Sequence, residues 1–167
     1  MMSSQINPQL IEKDELLSLV PHRGCMFLIS RVHKYDLEEF SLEGEYVISG
    51  DCIFFDKEAG GVPAWAGLEF MAQAVSVLVG LWRRERGEDI RLGFLVSMSS
   101  VKILNSIFEL GEILELKVKL INQIDTVYTF DGSVSLDGIT VLQGKMTMLD
   151  VDEEKMQVFQ KEYESIG

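Results

Sequence analysis

The chain has 167 residues, a formal net charge of -12, 47% apolar residues and three prolines. That length suits one domain with a sizeable core, and that apolar content excludes disorder away from the ends. The charge argues against nucleic acid or an anionic membrane surface as the main partner. The two cysteines, Cys25 and Cys52, form neither a metal-ligand spacing nor a disulfide framework. With no evident signal peptide, the expected location is a reducing cytoplasm.

Residues 1–14 read as an N-terminal tail, grading into a short amphipathic segment over residues 12–20 that Pro21 stops. Residues 26–32 (MFLISRV) read as a strand, and residues 41–48 as a second one. The loop over residues 50–62 carries Gly60 and Gly61, and Pro63 stands where a helix begins. Residues 64–82, AWAGLEFMAQAVSVLVGLW, are apolar on every side, which predicts a helix buried all round. Arg83, Arg84 and Arg86 close it, complementing the negative end of its dipole, and Gly87 suits the stop. The segment is nearly long enough to cross a membrane, but the polar residues within it make a buried soluble helix the better reading.

After the helix the period changes to two. Residues 94–103 predict a strand, and Leu114, Leu116, Val118 and Leu120 alternate with Glu115, Lys117 and Lys119 as a half-buried strand requires. Residues 128–136 repeat the pattern, interrupted at Asp131 and Gly132. Asp137 and Gly138 signal a tight hairpin, and residues 140–149 return. The expectation is an α+β domain over residues 15–150, followed by an acidic C-terminal segment over residues 151–167. A helix apolar all round needs a curved antiparallel sheet and a partner subunit to cover it.

The long helix carries a single ionisable residue, Glu69, with Gln73 and Ser76 on the same face. An ionised carboxylate in apolar surroundings costs several kcal/mol, on the order of a lost charge-assisted contact, unless it is paired or hydrogen-bonded. Glu69 therefore marks a candidate site, with a structural hydrogen bond to the backbone as the plain alternative.

The order of elements and several motifs resemble the hotdog fold of the 3-hydroxyacyl-[acyl-carrier-protein] dehydratases. Leu19, Val20, Pro21, His22 and Arg23, followed by Met26, Phe27, Leu28 and Ile29, are similar to that family's LLPHR opening. Pro63, followed by Gly67, Glu69, Met71, Ala72 and Gln73, is similar to its central-helix motif. The run from Phe54, Phe55 and Asp56 through Gly60, Gly61, Val62, Pro63, Ala64 and Trp65 resembles a divergent predicted-dehydratase branch tied to aryl polyene-type pathways.

The resemblance implies loss of water from a 3-hydroxyacyl thioester to give a 2-enoyl thioester. The substrate would ride on an acyl carrier protein through a phosphopantetheine arm, or on coenzyme A, with no other cofactor and no metal. It casts Glu69 as the acid acting on the leaving hydroxyl, assisted by Gln73, and assigns thioester polarisation to the backbone at Ala64 and Trp65. A loop histidine takes the C2 proton in the family, yet Phe55 falls at that position here. Cys52, Asp56 or a partner subunit's histidine are the available substitutes, and a structural role is implied for His22. Phe54, Phe55, Pro63, Trp65 and Phe70 suit an aromatic-lined acyl tunnel or ordinary core packing. Arg83, Arg84, Arg86 and Arg91 form the densest basic cluster, the first three for carrier docking or simply for capping the helix. The expected assembly is a homodimer or a heterodimer with a paralogous hotdog subunit. The rival readings are an acyl thioesterase and a non-catalytic subunit paired with an active paralogue.

Overall fold

The computed structural model describes residues 10–91, 93–152 and, near the C-terminus, residues 154, 157, 158 and 161. Helix α1 (Lys13–Leu17) is followed by strands β1 (Arg31–Asp36) and β2 (Ser41–Val47). The short β3 (Gly61–Pro63) leads through a 3-10 turn, Ala64–Ala66, into the long α2 (Gly67–Glu85). Strands β4 (Gly93–Ile103), β5 (Ile107–Glu109), β6 (Ile113–Ile124), β7 (Val127–Leu136) and β8 (Ile139–Asp150) complete the chain. Six strands form one antiparallel sheet in the order β1-β2-β6-β7-β8-β4, and β3 pairs with β5 alone.

The α+β architecture expected from the sequence is the one observed: one long helix packed against a six-stranded antiparallel sheet. Phe70, Met71, Ala74, Val75, Val77, Leu78 and Leu81 of α2 are buried. They meet Leu42, Leu114, Leu116, Val118, Phe130, Val134, Leu142 and Met146 from one face of the sheet within a single core cluster. The alternation along β6, buried at Leu114, Leu116 and Val118 and open at Glu115, Lys117 and Lys119, is what period two predicts. Residues 64–85 are apolar and long enough to cross a membrane, but 72% of their most apolar window is buried inside the fold.

The structure departs from the sequence reading in four places. The strand expected over residues 26–32 begins only at Arg31, because Gly24–Met26 is a 3-10 turn. The following backbone finds its partner in a side chain of α2 rather than a strand. The helix expected from residue 64 opens as a 3-10 turn and turns α-helical at Gly67. No interruption occurs at Asp131 and Gly132, since β7 runs straight through them. A Cβ at Gly132 would lie 2.7 Å from Met146 Cε and 2.8 Å from Met71 Sδ, so glycine lets the helix approach the sheet. Finally, the tail expected over residues 1–14 falls partly outside the described residues, but Ile11 within it exchanges both backbone hydrogen bonds with Val32 (2.9 and 3.1 Å), while α1 opens at Lys13 inside the amphipathic segment expected over residues 12–20. The C-terminal segment also lies largely outside the described residues.

The hairpin between β7 and β8 carries positive φ at both Asp137 (50°) and Gly138 (78°), the pair that a two-residue turn of this hand requires. A second close approach fixes the N-terminal segment: a Cβ on Gly80 would stand 2.2 Å from the Leu19 carbonyl oxygen. Gly80→Ala is therefore expected to lose about 1–3 kcal/mol in urea unfolding, through overpacking against backbone that cannot yield. Gly50→Ala, where nothing lies within 4 Å, serves as the neutral control; equal midpoints for the two variants would contradict this packing.

Candidate active site at the start of the central helix

Gln73 organises the site. Its side chain is fully buried in the core, where an unpaired amide would be costly. Three hydrogen bonds satisfy it: Oε1 accepts from the Leu28 N–H at 2.7 Å, and Nε2 donates to the Met26 carbonyl at 2.7 Å and to Glu69 Oε1 at 3.0 Å. One amide thus ties the residue 26–28 segment to α2 and holds Glu69 one helical turn away.

Glu69 is not sealed in the core, as an all-apolar helix suggested. Its side chain is 31% exposed, because Leu68, Glu69, Ser76, Val79 and Trp82 lie on a side of α2 that the chain's own sheet covers only partly. The stapled segment brings a second titratable group to it. His22 Nε2 lies 3.9 Å from Glu69 Oε1, and the imidazole is 24% exposed. Arg23 closes the His22 turn by donating from Nη1 to the carbonyls of Val20 and His22, both at 2.7 Å. Burial lowers the His22 pKa; the neighbouring Glu69 charge pulls it back up and Arg23 adds to the lowering. His22 is thus held toward its neutral form at neutral pH. Nothing local along the chain points to this pairing beyond the scarcity of histidine, since 47 positions separate the two groups.

The other expected site residues divide into those near the helix start and those elsewhere. Phe54 and Trp65 form an edge-to-face pair with ring centroids 5.3 Å apart, and Trp65 is 54% exposed. Phe55 and Pro63 are half-buried beside them in sequence. Ala64 is buried, and its N–H is already engaged by the Ser106 carbonyl at 3.0 Å. Asp56 is exposed and organises its own loop, with Oδ1 accepting from the N–H groups of Glu58 (2.8 Å) and Ala59 (3.1 Å). That is an Asx-type turn rather than a partner for Glu69. Cys52 is buried beside Tyr46, whose hydroxyl is pushed well above its usual range by burial and by its hydrogen bond with the Cys52 thiol. Both line a crevice with Cys25, Ser49 and Asp51, apart from Glu69.

The three arginines do not form one open patch. Arg83 is 2% exposed, its guanidinium bound to Asp150 at 2.6 Å and Glu88 at 3.0 Å, so its charge is already paired inside the fold. Arg84 pairs with Glu15 at 2.7 Å, and Arg86 bonds Glu88 while lying over the Trp82 ring at 4.6 Å. Among the described residues no cluster of three His, Cys, Asp or Glu side chains suits a metal. A cavity of about 290 Å³ lies further along α2, against Val75, Ser76, Val79 and Trp82, with Phe40 and Tyr128 opposite.

The ApeP-like family, described as ApeP dehydratase, matches residues 15–160. The chain belongs to the ApeP-like dehydratase family. Its curated relatives include the 3-hydroxyacyl-[acyl-carrier-protein] dehydratase FabZ of Erythrobacter litoralis, 28% identical over 141 residues, which cover 83% of this chain and 91% of that one. FabZ of Shewanella woodyi is 30% identical over 148 residues, covering 87% and 94%. Among solved structures, the dehydratase heterocomplex ApeI:P from Xenorhabdus doucetiae superposes with a TM-score of 0.78 at 25% identity, covering 86% of this chain and 95% of that one. A hypothetical thioesterase with coenzyme A from Streptococcus pneumoniae, 14% identical with a TM-score of 0.54 and coverage of 71% and 82%, shares the fold alone. This ApeP-like chain is thus a hotdog protein related to the FabZ hydro-lyases.

In this ApeP-like chain the Gln73 clamp should be a measurable part of stability. Gln73→Leu leaves the buried Leu28 N–H and Met26 carbonyl without partners, at about 1–3 kcal/mol per group. Urea unfolding should report that loss, with faster amide exchange at Leu28. Gln73→Glu, which keeps an acceptor for Leu28, should fall between; wild-type exchange at Leu28 in Gln73→Leu would mean that the clamp is not what holds the segment.

Proposed function

We propose that this chain is a dehydratase subunit that removes water from 3-hydroxyacyl thioesters, giving 2-enoyl thioesters in fatty-acid or aryl polyene-type biosynthesis, and that it works paired with a second hotdog chain. The observation that carries this reading is the Glu69 carboxylate, fixed by Gln73 at the first turn of α2 yet open on one side. Elimination needs a group that delivers a proton to the departing C3 hydroxyl, and Glu69 has the position and freedom to do so. Helix α2 adds to this, since its N-terminal end carries partial positive charge that favours negative charge growing on the thioester oxygen. The N–H nearest the entrance that can serve is that of Trp65, because Ala64 donates to Ser106 and Pro63 has none.

The acyl chain has a natural course. Leaving the thioester near Trp65 and Phe54, it would follow the partly covered side of α2 past Ser76 toward the cavity at Val79 and Trp82. At 1.5 Å per residue, Glu69 and Val79 lie about 15 Å apart along the axis, room for an extended chain. The phosphopantetheine arm of a carrier protein, or coenzyme A, would enter from the Trp65 side.

Pairing with another hotdog chain is supported by β4. It lies at the edge of the sheet with one side unpaired among the described residues, and Phe94, Leu95, Val96, Val101, Ile103 and the adjoining Leu104 are exposed on or beside it. A long edge strand rich in exposed apolar residues invites strand addition. The likeness to the ApeI:P heterocomplex favours a paralogous partner over self-pairing.

Two measurements test the proposal. With a 3-hydroxyacyl-carrier-protein substrate, mass spectrometry should detect water loss by the assembled protein, and Glu69→Gln in this chain should slow it by about 10²–10⁴-fold. Water loss untouched by Glu69→Gln, with the partner's own acid also replaced, would defeat the assignment. Val96→Lys on β4 should shift the assembly to single chains in light scattering after gel filtration, with the thermal midpoint of the single chain nearly unchanged. An assembly of unaltered mass would place the partner elsewhere.

A further inference from the structure

We propose that His22 is the proton acceptor of this site, working with Glu69 of the same chain in place of the loop histidine that Phe55 replaces. The inference rests on the dehydratase reading and adds a catalytic residue to it. Four observations converge on His22. The chain has two histidines, and His33 Nε2 is bound to Glu45 at 2.7 Å on the β1–β2 pair. His22 is therefore the imidazole that the fold brings to Glu69. Its Nε2 faces Glu69 Oε1 at 3.9 Å, too long for a direct hydrogen bond, so Nε2 is not spent on the carboxylate and both groups can face a substrate lying alongside them. Both side chains are partly solvent-accessible, which a substrate site needs and a sealed structural pair does not. The last observation is that the position is over-determined: Arg23 closes the turn around His22, and Gln73 fixes the two carbonyl and amide groups just beyond it.

The electrostatics agree with that geometry. The charged groups facing His22 are Glu69 and Arg23, and burial outweighs Glu69 in keeping the ring neutral. Nδ1 is buried without a hydrogen-bond partner among the described residues, so Nε2 is the nitrogen available for proton exchange. A neutral imidazole at Nε2 is the form that accepts a proton.

The step balances within this pair. His22 Nε2 takes the proton from C2 of the 3-hydroxyacyl thioester, and the C–H electron pair is held as the thioester enolate. That proton passes from Nε2 to the Glu69 carboxylate, which gives it to the C3 hydroxyl; the C3–O bond breaks, the enolate pair becomes the C2–C3 double bond and water leaves. Neutral His22 and the Glu69 carboxylate are restored with no oxidant, reductant or metal.

The test uses the full chain assembled with its hotdog partner, in two arms: the partner's helix acid replaced, and the partner's helix acid and loop histidine both replaced. In both arms the wild-type chain should still eliminate water, and His22→Gln should slow it about 10²-fold or more with KM and the thermal midpoint nearly unchanged. The acidic limb of the wild-type pH profile should fall below the ordinary histidine value of about 6.5, because the free-enzyme imidazole titrates low. If His22→Gln destabilises the fold, exchange of the substrate C2 hydrogen in heavy water replaces turnover as the readout: Glu69→Gln should keep exchange, and a His22→Asn chain should lose it. Turnover or C2 exchange that survives loss of His22 overturns the proposal and leaves the dehydratase reading standing. Turnover that disappears only when the partner's loop histidine is removed overturns it as well, in favour of a base supplied across the interface. Absence of water loss from the wild-type assembly in every arm, including with an unmodified partner, removes the dehydratase reading and this inference together.

Discussion

A buried amide must find as many partners as it has hydrogen-bonding groups, and in this chain that requirement decides where the N-terminal third goes. Gln73 sits fully inside the core. Water cannot reach it, so its donors and acceptor are met by Met26, Leu28 and Glu69. The bonds work in both directions. They excuse the amide from its desolvation penalty, and they occupy backbone groups that would otherwise need a strand neighbour. The extended segment before β1 can therefore leave the sheet and lie along the helix, carrying His22 with it.

The same demand shapes the far end of α2. Arg83 is buried at 2% exposure, where a lone cation would not be tolerated. Asp150 at the end of β8 and Glu88 just past the helix supply the compensating charge. The pair fixes the helix terminus to the last strand of the sheet. α2 is thus held by polar contacts at both ends and by close-packed apolar contacts between them, with Gly80 and Gly132 allowing backbone and side chains to approach where a methyl group would not fit.

What remains open follows from what the single chain cannot cover. The sheet shields most of α2 but leaves a strip from Leu68 through Ser76 to Trp82 half-buried, and among the described residues β4 ends the sheet with its outer side unpaired. In an acidic protein of net charge -12, the exposed apolar edge stands out against a charged surface. The half-covered helix and the bare edge are the two surfaces on which a site and a partner would be built.

The sequence by itself determined the elements that rest on local periodicity. The period-two pattern after residue 93, the apolar α2 and the Asp137–Gly138 turn each depend on neighbours within a few residues, and all three appear, with α2 opening at Gly67 after a 3-10 turn. Glu69 was legible for the same reason, as a lone charge breaking an apolar run. The family motifs around it, from the Pro21–His22–Arg23 opening to Gln73, were equally readable. Only tertiary structure decided that Glu69 is partly open, that Gln73 serves the residue 26–28 backbone, that Arg83 is buried, and that Asp56 turns to its own loop. It alone put His22 beside Glu69. Those outcomes depend on contacts between residues far apart in the chain, whose partners are chosen by burial and by the need to satisfy polar groups away from water, and no local pattern encodes that choice.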